Sequence, residues 1–279
     1  MVMRRDTPSE NEVDEFIVPM TLAPKGDREA ILSAVRYLSP DAEGKASEFM
    51  GGQDHADILL KKLKPAEYGR TRNYLKGAVT RLSPFIRHGV LSLNEVRNET
   101  LKVSSKREAE KFIQQLAWRD YWQRLYSDSP QIIWTDIEDY KTGFSAEDYA
   151  DVLPEDIKTA QTGVACIDTF LNELIDSGTL HNHARLYLAG YICHWRRVKW
   201  QAGARFFLTH LLDGDPASNN LSWQWVASTF SHKPYYYNLD NIRKFSGDDL
   251  DTSDENNSPL EGSYEAIFEK LFPNLEKPS

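Results

Sequence analysis

The chain has 279 residues, 41% hydrophobic and 27% charged, enough to bury a core in one large or two modest domains and too apolar for overall disorder. Its net charge of −9 and pI of about 5.3 argue against a generic nucleic-acid coat protein. No apolar run has the length of a membrane helix, and two cysteines, Cys166 and Cys193, make neither a disulfide framework nor a closed thiolate zinc site.

Residues 1–25 contain Pro8, Pro19 and Pro24 and read as a weakly structured arm. Met1 to Asp14 holds two Arg followed by acids where a secretory signal needs an apolar segment, so a cytoplasmic protein is expected. Asp27 to Leu38 has helical spacing and stops at Ser39-Pro40. After a polar stretch, helical patterns recur over Ala56–Leu63, Leu93–Thr100 and Ser105–Tyr126, the last with Phe112, Leu116, Trp122 and Leu125 near one face and Ser104 or Ser105 as N-cap. Residues 134–162 read as irregular and acidic. Nearly continuous helix follows: Ala165–Asp176 closed by Gly178, Asn182–Trp200, Ala204–Leu212 and Asn219–Thr229. Beyond Asp248 a polar tail ends in an amphipathic stretch, Tyr264–Phe272, able to dock back. Little alternates with period two, so the expected class is all-α: an arm (1–25), a helical domain (26–247) and an acidic tail (248–279).

Charge is unevenly distributed. Tyr68 to His88 carries five basic residues and no acid, as does His181 to Arg205, whereas Asp248 to Glu261 carries six acids and no base. A charge run is most simply a solvated face, but two acid-free, aromatic-rich stretches leave room for an anionic partner. P-loop, Rossmann glycine, HExxH and nucleophile-elbow patterns are absent. His181 and His183, two apart on a helix, point in different directions, so no metal site is expected.

The informative region runs from Thr162 to Asn238. Asn182 and Arg185 are three apart at a helix start and face one way. Asp213 and Asp215 flank Gly214 just before a helix begun by Ser218, Asn219 and Asn220. One Arg, two Asp and these Asn suit an amide-rich heterocycle such as a flavin or a base. The plainer alternative, which spacing alone favours, is that DGD caps a helix and Arg185 staples two helices by pairing with an Asp.

TGVACID (162–168), SGTLHNHARL (177–186) and LLDGDPASNNLSWQWVAST (211–229), preceded by VTRLSPFIRHGVLS (79–92) and QQLAWRDYW (114–122), follow in order the pattern of the photolyase/cryptochrome family. The chain therefore resembles the FAD-binding helical domain of that family over roughly residues 65–245. The resemblance implies a helical bundle holding FAD. Tyr68, Thr80, Arg81, Leu82 and Ser83 would meet the diphosphate and its surroundings. Gln115, Trp118 and Arg119 would line the cavity, and Asn182, Arg185, Asp213, Asp215 and Asn219 would address the flavin, Arg185 pairing with Asp213. It also implies an electron relay of Trp223, Trp200 and Tyr140, the last where the family carries Trp. Trp122, Trp134 and Trp195 fall outside the relay and read as core aromatics.

By the same resemblance the activity would be a blue-light-driven lyase acting on a pyrimidine dimer in damaged DNA. Trp118 and Trp225 would clamp the flipped dimer, with Arg72, His183 and Leu186 nearby. Arg70, Arg81 and the Arg196–Lys199 cluster would meet phosphates. Four positions depart from the repair pattern: Gln115 for Glu, Thr179 for Trp, His183 for Arg and Leu186 for Met. Of these, Gln115 and His183 point to weak action on duplex and a preference for single strands. The chain begins close to the FAD domain, so no antenna chromophore is expected. The alternative is a cryptochrome-like sensor, or a redox flavoprotein without repair, meeting a protein partner through the acidic tail.

Overall fold

The structure, a computed structural model, describes residues 28–38 and 47–276. The expected arm and the Ser39-Pro40 stop lie outside these. The chain divides into two units, 1–48 and 49–279. In the first, the described structure is helix α1 (Arg28–Leu38).

The second unit is helical, and its described residues contain no strand beyond one isolated bridge between Ala150 and Val198. It starts with α2 (Gln53–Lys61) and α3 (Pro65–Thr71), the latter opened by a proline at the first helical position, where a missing N–H is harmless. α4 (Ser83–Arg87) is short, and α5 (Leu93–Val103) is closed at its start by a Ser92/Glu95 capping box. The long α6 (Lys106–Asp128) is capped by Ser105, which accepts from Glu108 N while Glu108 returns to Ser105 N. α6 packs against α3 and against α11 below. Residues 134–162 are irregular as expected, apart from a 3-10 turn and the one-turn α7 (Glu155–Lys158).

α8 (Ala165–Ser177) ends at Gly178, whose φ of 68° supplies the left-handed cap. The helix expected over 182–200 is in fact two. α9 (Asn182–Gly190) runs into a π turn at Tyr191–Trp195, and a break at 196–199 precedes α10 (Trp200–His210). The break is fixed from outside: Ala150 N donates to Arg197 O at 2.7 Å and Lys199 N to Ala150 O at 2.9 Å, holding Arg197 at φ +48°. α11 (Pro216–Ala227) packs along α10, and α12 (Leu239–Ser246) follows. The core around α8–α11 is aromatic, with Trp200, Tyr187, Tyr237, Phe170 and Phe207 fully buried. A smaller core joins Leu82, Phe85, Leu91, Val96 and Phe112.

Beyond Asp248 the chain packs back on the helical body. Asn257, fully buried, accepts from Cys166 N at the start of α8 at 3.0 Å, and Trp195 Nε1 donates to Pro259 O at 2.9 Å. α13 (Tyr264–Leu271) buries Ile267, Phe268 and Leu271. The acids of the run are partly spent: Asp254 pairs with Arg243, and Asp251 accepts from Ser253 and Asn256. Among the described residues no helix is long and apolar enough to cross a membrane.

Candidate functional site

Two cavities lie on either side of one ion pair. His181 caps α9, its Nδ1 accepting from His183 N at 3.0 Å, so the first turn places Asn182 and Arg185 on one face. Arg185 Nε donates to Leu180 O at 2.9 Å, and its Nη2 reaches both oxygens of Asp213 at 3.0 and 2.9 Å. Burial of Asp213 opposes its ionisation, but the charge and hydrogen bond of Arg185, helped by Ser83, outweigh it and hold the carboxyl below the usual range. Both parts of the plainer reading of DGD are thus present, since Asp215 is the N-cap of α11, accepting from Ser218 N at 2.9 Å.

The loop carrying these acids is pinned by contacts that spacing does not reveal. Leu212 N donates to Gly178 O at 2.8 Å, Arg87 Nε to Gly214 O at 2.6 Å, and His88 bonds Leu212 O at 2.8 Å. Gln123 Nε2 sits between the two oxygens of Asp215 at 2.8 and 2.7 Å, with an Arg119 Nη2 at 3.9 Å. Arg87, His88 and Gln123 were missed in the sequence because their partners lie about ninety residues or more away.

The larger cavity, about 370 Å³, is lined by Tyr68, Arg72, Thr80, Arg81, Ser83, Gln115, Asn182, Arg185 and Asp213, with Thr179 and His181. Arg81 holds φ +55°, a conformation that costs a non-glycine residue energy and is retained here at the cavity wall. The smaller cavity, about 140 Å³, shares Asn182, Arg185 and Asp213 and adds Arg119, Asp215, Ser218, Asn219, Trp223 and Leu186. Leu82 lines neither, being 1% exposed in the smaller core. Its expected cofactor contact can involve only backbone.

A third recess of about 460 Å³ is formed by Trp118, Tyr121, Trp122, Trp225 and Phe230 with Gln114 and Ala117. Trp118 and Trp225 are 51% and 40% exposed; Trp118 stacks on Trp122 at 5.2 Å. Trp118 therefore belongs to this recess rather than to the cofactor cavities. α6 presents Gln115, Trp118 and Arg119, three and four apart, to three different cavities.

Three expectations need correction. His183 is largely buried, its Nδ1 2.6 Å from Asn73 O and its ring stacked on Tyr187, so only its Nε2 edge is left for a substrate. The Arg196–Lys199 cluster is spent internally: Arg196 grips Asp156, Lys199 pairs with Asp151 at 2.7 Å, and Arg197 lies over Phe144. Trp134 is not a core residue, standing 36% exposed beneath Arg205.

Trp223 lines the smaller cavity, and its ring lies against Gly203 of α10, three residues from Trp200. Tyr140 is buried and stacked on Tyr149 at 4.4 Å.

Hydrogen-bonding capacity left open at the cavities tests their fit to FAD. His181 Nε2 and Ser218 Oγ, buried and each on a residue lining one of the two cavities, have no partner. Burial, with the nearby His183 and Arg185, pushes the His181 pKa down to about 4, so at neutral pH the ring is uncharged. With Nδ1 accepting, the proton is on Nε2. Arg81, Arg185 and the hydroxyls of Thr80 and Ser83 suit a diphosphate. The residues present fit the cofactor.

A family model described as the FAD binding domain of DNA photolyase matches residues 112–254. A deoxyribodipyrimidine photo-lyase of Streptomyces griseus is 34% identical over 165 residues, covering 59% of this chain and 35% of that protein. One from Alkalihalophilus pseudofirmus is 29% identical over 196 residues, covering 68% and 40%. Among solved structures, an archaeal photolyase from Sulfolobus tokodaii with two FAD molecules superposes with a TM-score of 0.61 at 27% identity, over 76% of this chain and 48% of that one. A Synechocystis cryptochrome, TM-score 0.63 at 20% identity over 83% of this chain and 48% of that one, shares the fold. The chain spans less than half the length of these relatives.

Proposed function

Since the chain belongs to the family of the FAD-binding domain of DNA photolyase, we propose that it uses FAD for blue-light-driven electron transfer to a pyrimidine dimer in DNA. The observation that carries this reading is the Arg185–Asp213 pair set between two cavities, each with one buried polar atom that lacks a partner, His181 Nε2 and Ser218 Oγ. When bound and reduced, FAD supplies a light-excited electron. The chain's part is to hold and isolate it. Arg81, Thr80 and Ser83 would hold the diphosphate. Asn182, Arg185 and Asp213 would orient the ring and set the charge beside it, which biases the favoured redox form. Asp215, fixed by Gln123, and Asn219, whose Nδ2 donates to Ala204 O at 3.1 Å, would complete the wall.

His181 would donate through Nε2–H. Replacing it by Asn keeps an N-cap, but the shorter side chain cannot bring an N–H to the position of Nε2; FAD affinity, read by release of flavin fluorescence, should fall about tenfold, the worth of one hydrogen bond of about 1.4 kcal/mol.

The dimer would enter past Trp118 and Trp225, in the recess with exposed stacking faces. With Arg196, Arg197 and Lys199 occupied and Arg81 assigned to the diphosphate, Arg70 and Arg72, which form no salt bridge among the described residues, are left of the cations expected to meet phosphates. A single strand, which has no pairing to break before a base is flipped, is the favoured substrate. Binding of a dimer-bearing single strand should depend weakly on salt, with a log–log slope of about −1.5 for two phosphate contacts. A slope of about −4 would mean that other cations carry the DNA.

The deciding experiment is light-dependent dimer loss on that oligonucleotide with FAD-loaded, reduced protein. A second reading, a light-responsive flavoprotein without repair, is favoured by Gln115, which offers the larger cavity no carboxylate. Flavin photoreduction without dimer loss would establish it. The six acids between Asp248 and Glu261 are all exposed, which leaves the acidic segment accessible to a partner.

A further inference from the structure

Trp200 is fully buried, yet its polar edge leads outward. Its Nε1–H donates to Asp136 Oδ1 at 2.6 Å, and Gln201 Nε2 donates to the same oxygen at 3.0 Å. Asp136 itself is exposed, so its carboxylate joins the buried indole directly to water. Tyr140 is arranged in the opposite way. Its hydroxyl is buried with no hydrogen-bond partner, and the polar group facing its oxygen is the backbone N–H of Trp200, which can only donate. Lys199, which lies near Asp136, is already paired with Asp151.

We propose that Trp200 is the terminal electron donor of the relay and that Asp136 is the base that takes its proton, so that the oxidising equivalent stops there and does not pass to Tyr140. The proposal rests on the reading of Trp223 and Trp200 as donors to a bound flavin. One electron leaves Trp223 for the light-excited oxidised flavin, and Trp200 replaces it, becoming the radical cation. Losing an electron makes an indole N–H acidic. The Nε1–H bond then breaks, its electron pair stays on the ring, and the proton moves to Asp136 Oδ1. A neutral tryptophanyl radical and a carboxylic acid remain, and the acid exchanges its proton with water. A phenol loses its proton on oxidation even more readily, but Tyr140 has nothing to give it to. That is why the same chemistry is blocked one residue further out.

The test is transient absorption of the FAD-loaded full chain after a blue flash, in H2O and D2O. The parent should form a neutral tryptophanyl radical, more slowly in D2O, with no tyrosyl signal. Asp136→Asn keeps a carboxamide oxygen to accept from the indole but has no basicity. It should leave the radical as the cation and shorten its lifetime at least about a hundredfold, the lower range of a lost general base. Asp136→Glu should restore the neutral radical. Resonance Raman of the indole N–H, read on protein without flavin, should show the hydrogen bond retained in Asp136→Asn. A neutral radical with unchanged lifetime in Asp136→Asn overturns the proposal, as does a tyrosyl signal in the parent that Tyr140→Phe removes. Trp200→Phe separates the two levels: if the long-lived radical survives it, the relay reading itself fails.

Discussion

Asp213→Ala should release FAD during gel filtration and lower the thermal midpoint by about 6–12 °C. The change leaves Arg185 without its carboxylate in a site where Asp213 is 9% exposed and the Arg185 side chain 26%. Breaking such a pair from one side costs about 3 kcal/mol, because the remaining charge stays desolvated and uncompensated. For a chain of this size each kcal/mol moves the midpoint by about 2–4 °C. The variant also removes a wall common to both cavities. The pH dependence follows with a definite sign. The Asp213 carboxyl is held below its usual range, so the stabilisation is fully present above the unfolded carboxylate value of about 4. It is lost as pH falls through the lower folded value. Differential scanning fluorimetry at pH 7 and pH 5 should therefore give the same difference between parent and variant. The difference should shrink in stronger acid. A midpoint within about 2 °C of the parent, with FAD retained, would show that the pair is peripheral to the site.

Gly203→Ala should destabilise the protein and disable photoreduction, although helix propensity alone predicts the reverse. Inside a helix Ala is favoured over Gly by about 1 kcal/mol. Here a Cβ would lie 2.3 Å from Trp223 Cη2 and 2.4 Å from Cζ3. The indole cannot yield freely, since Trp223 is 2% exposed and meets Phe207 edge to face at 4.9 Å. Overpacking of this kind costs about 1–3 kcal/mol, enough to cancel the propensity gain. The ring is driven out of its place between the smaller cavity and α10. Flavin bleaching under blue light should slow by at least about tenfold, a barrier increase of about 1.4 kcal/mol, while the tryptophan emission shifts. A more stable variant with normal bleaching would mean that the close approach relaxes without cost.

The capping residues and the glycine stop were readable locally. Ser105, one of the two N-caps that spacing allowed, and Gly178 after α8 act within one turn of where they stand, and the structure finds them there. The break at 196–199 was not readable. The sequence from Asn182 onward has helical composition throughout, and what interrupts it is backbone pairing with Ala150, some 47 residues away. The same holds for the basic cluster. Arg196 and Lys199 look free in a stretch without acids, but Asp156 and Asp151 reach them from the irregular segment.

What the sequence by itself determined is the helical class, the family, and the set of polar residues at the starts of α9 and α11, because spacings of three and four fix which side chains share a helix face. The tertiary structure decided which of those residues share a cavity, which cations are spent, and which carboxylate meets the Trp200 indole. His183 became a buried ring bonded to Asn73, and Asp136, unremarkable in its own segment, became the partner of a buried indole 64 residues away. Local patterns carry information over about a turn of helix. Ion pairs, shared cavities and proton exits are properties of distant segments brought together, and only packing selects them.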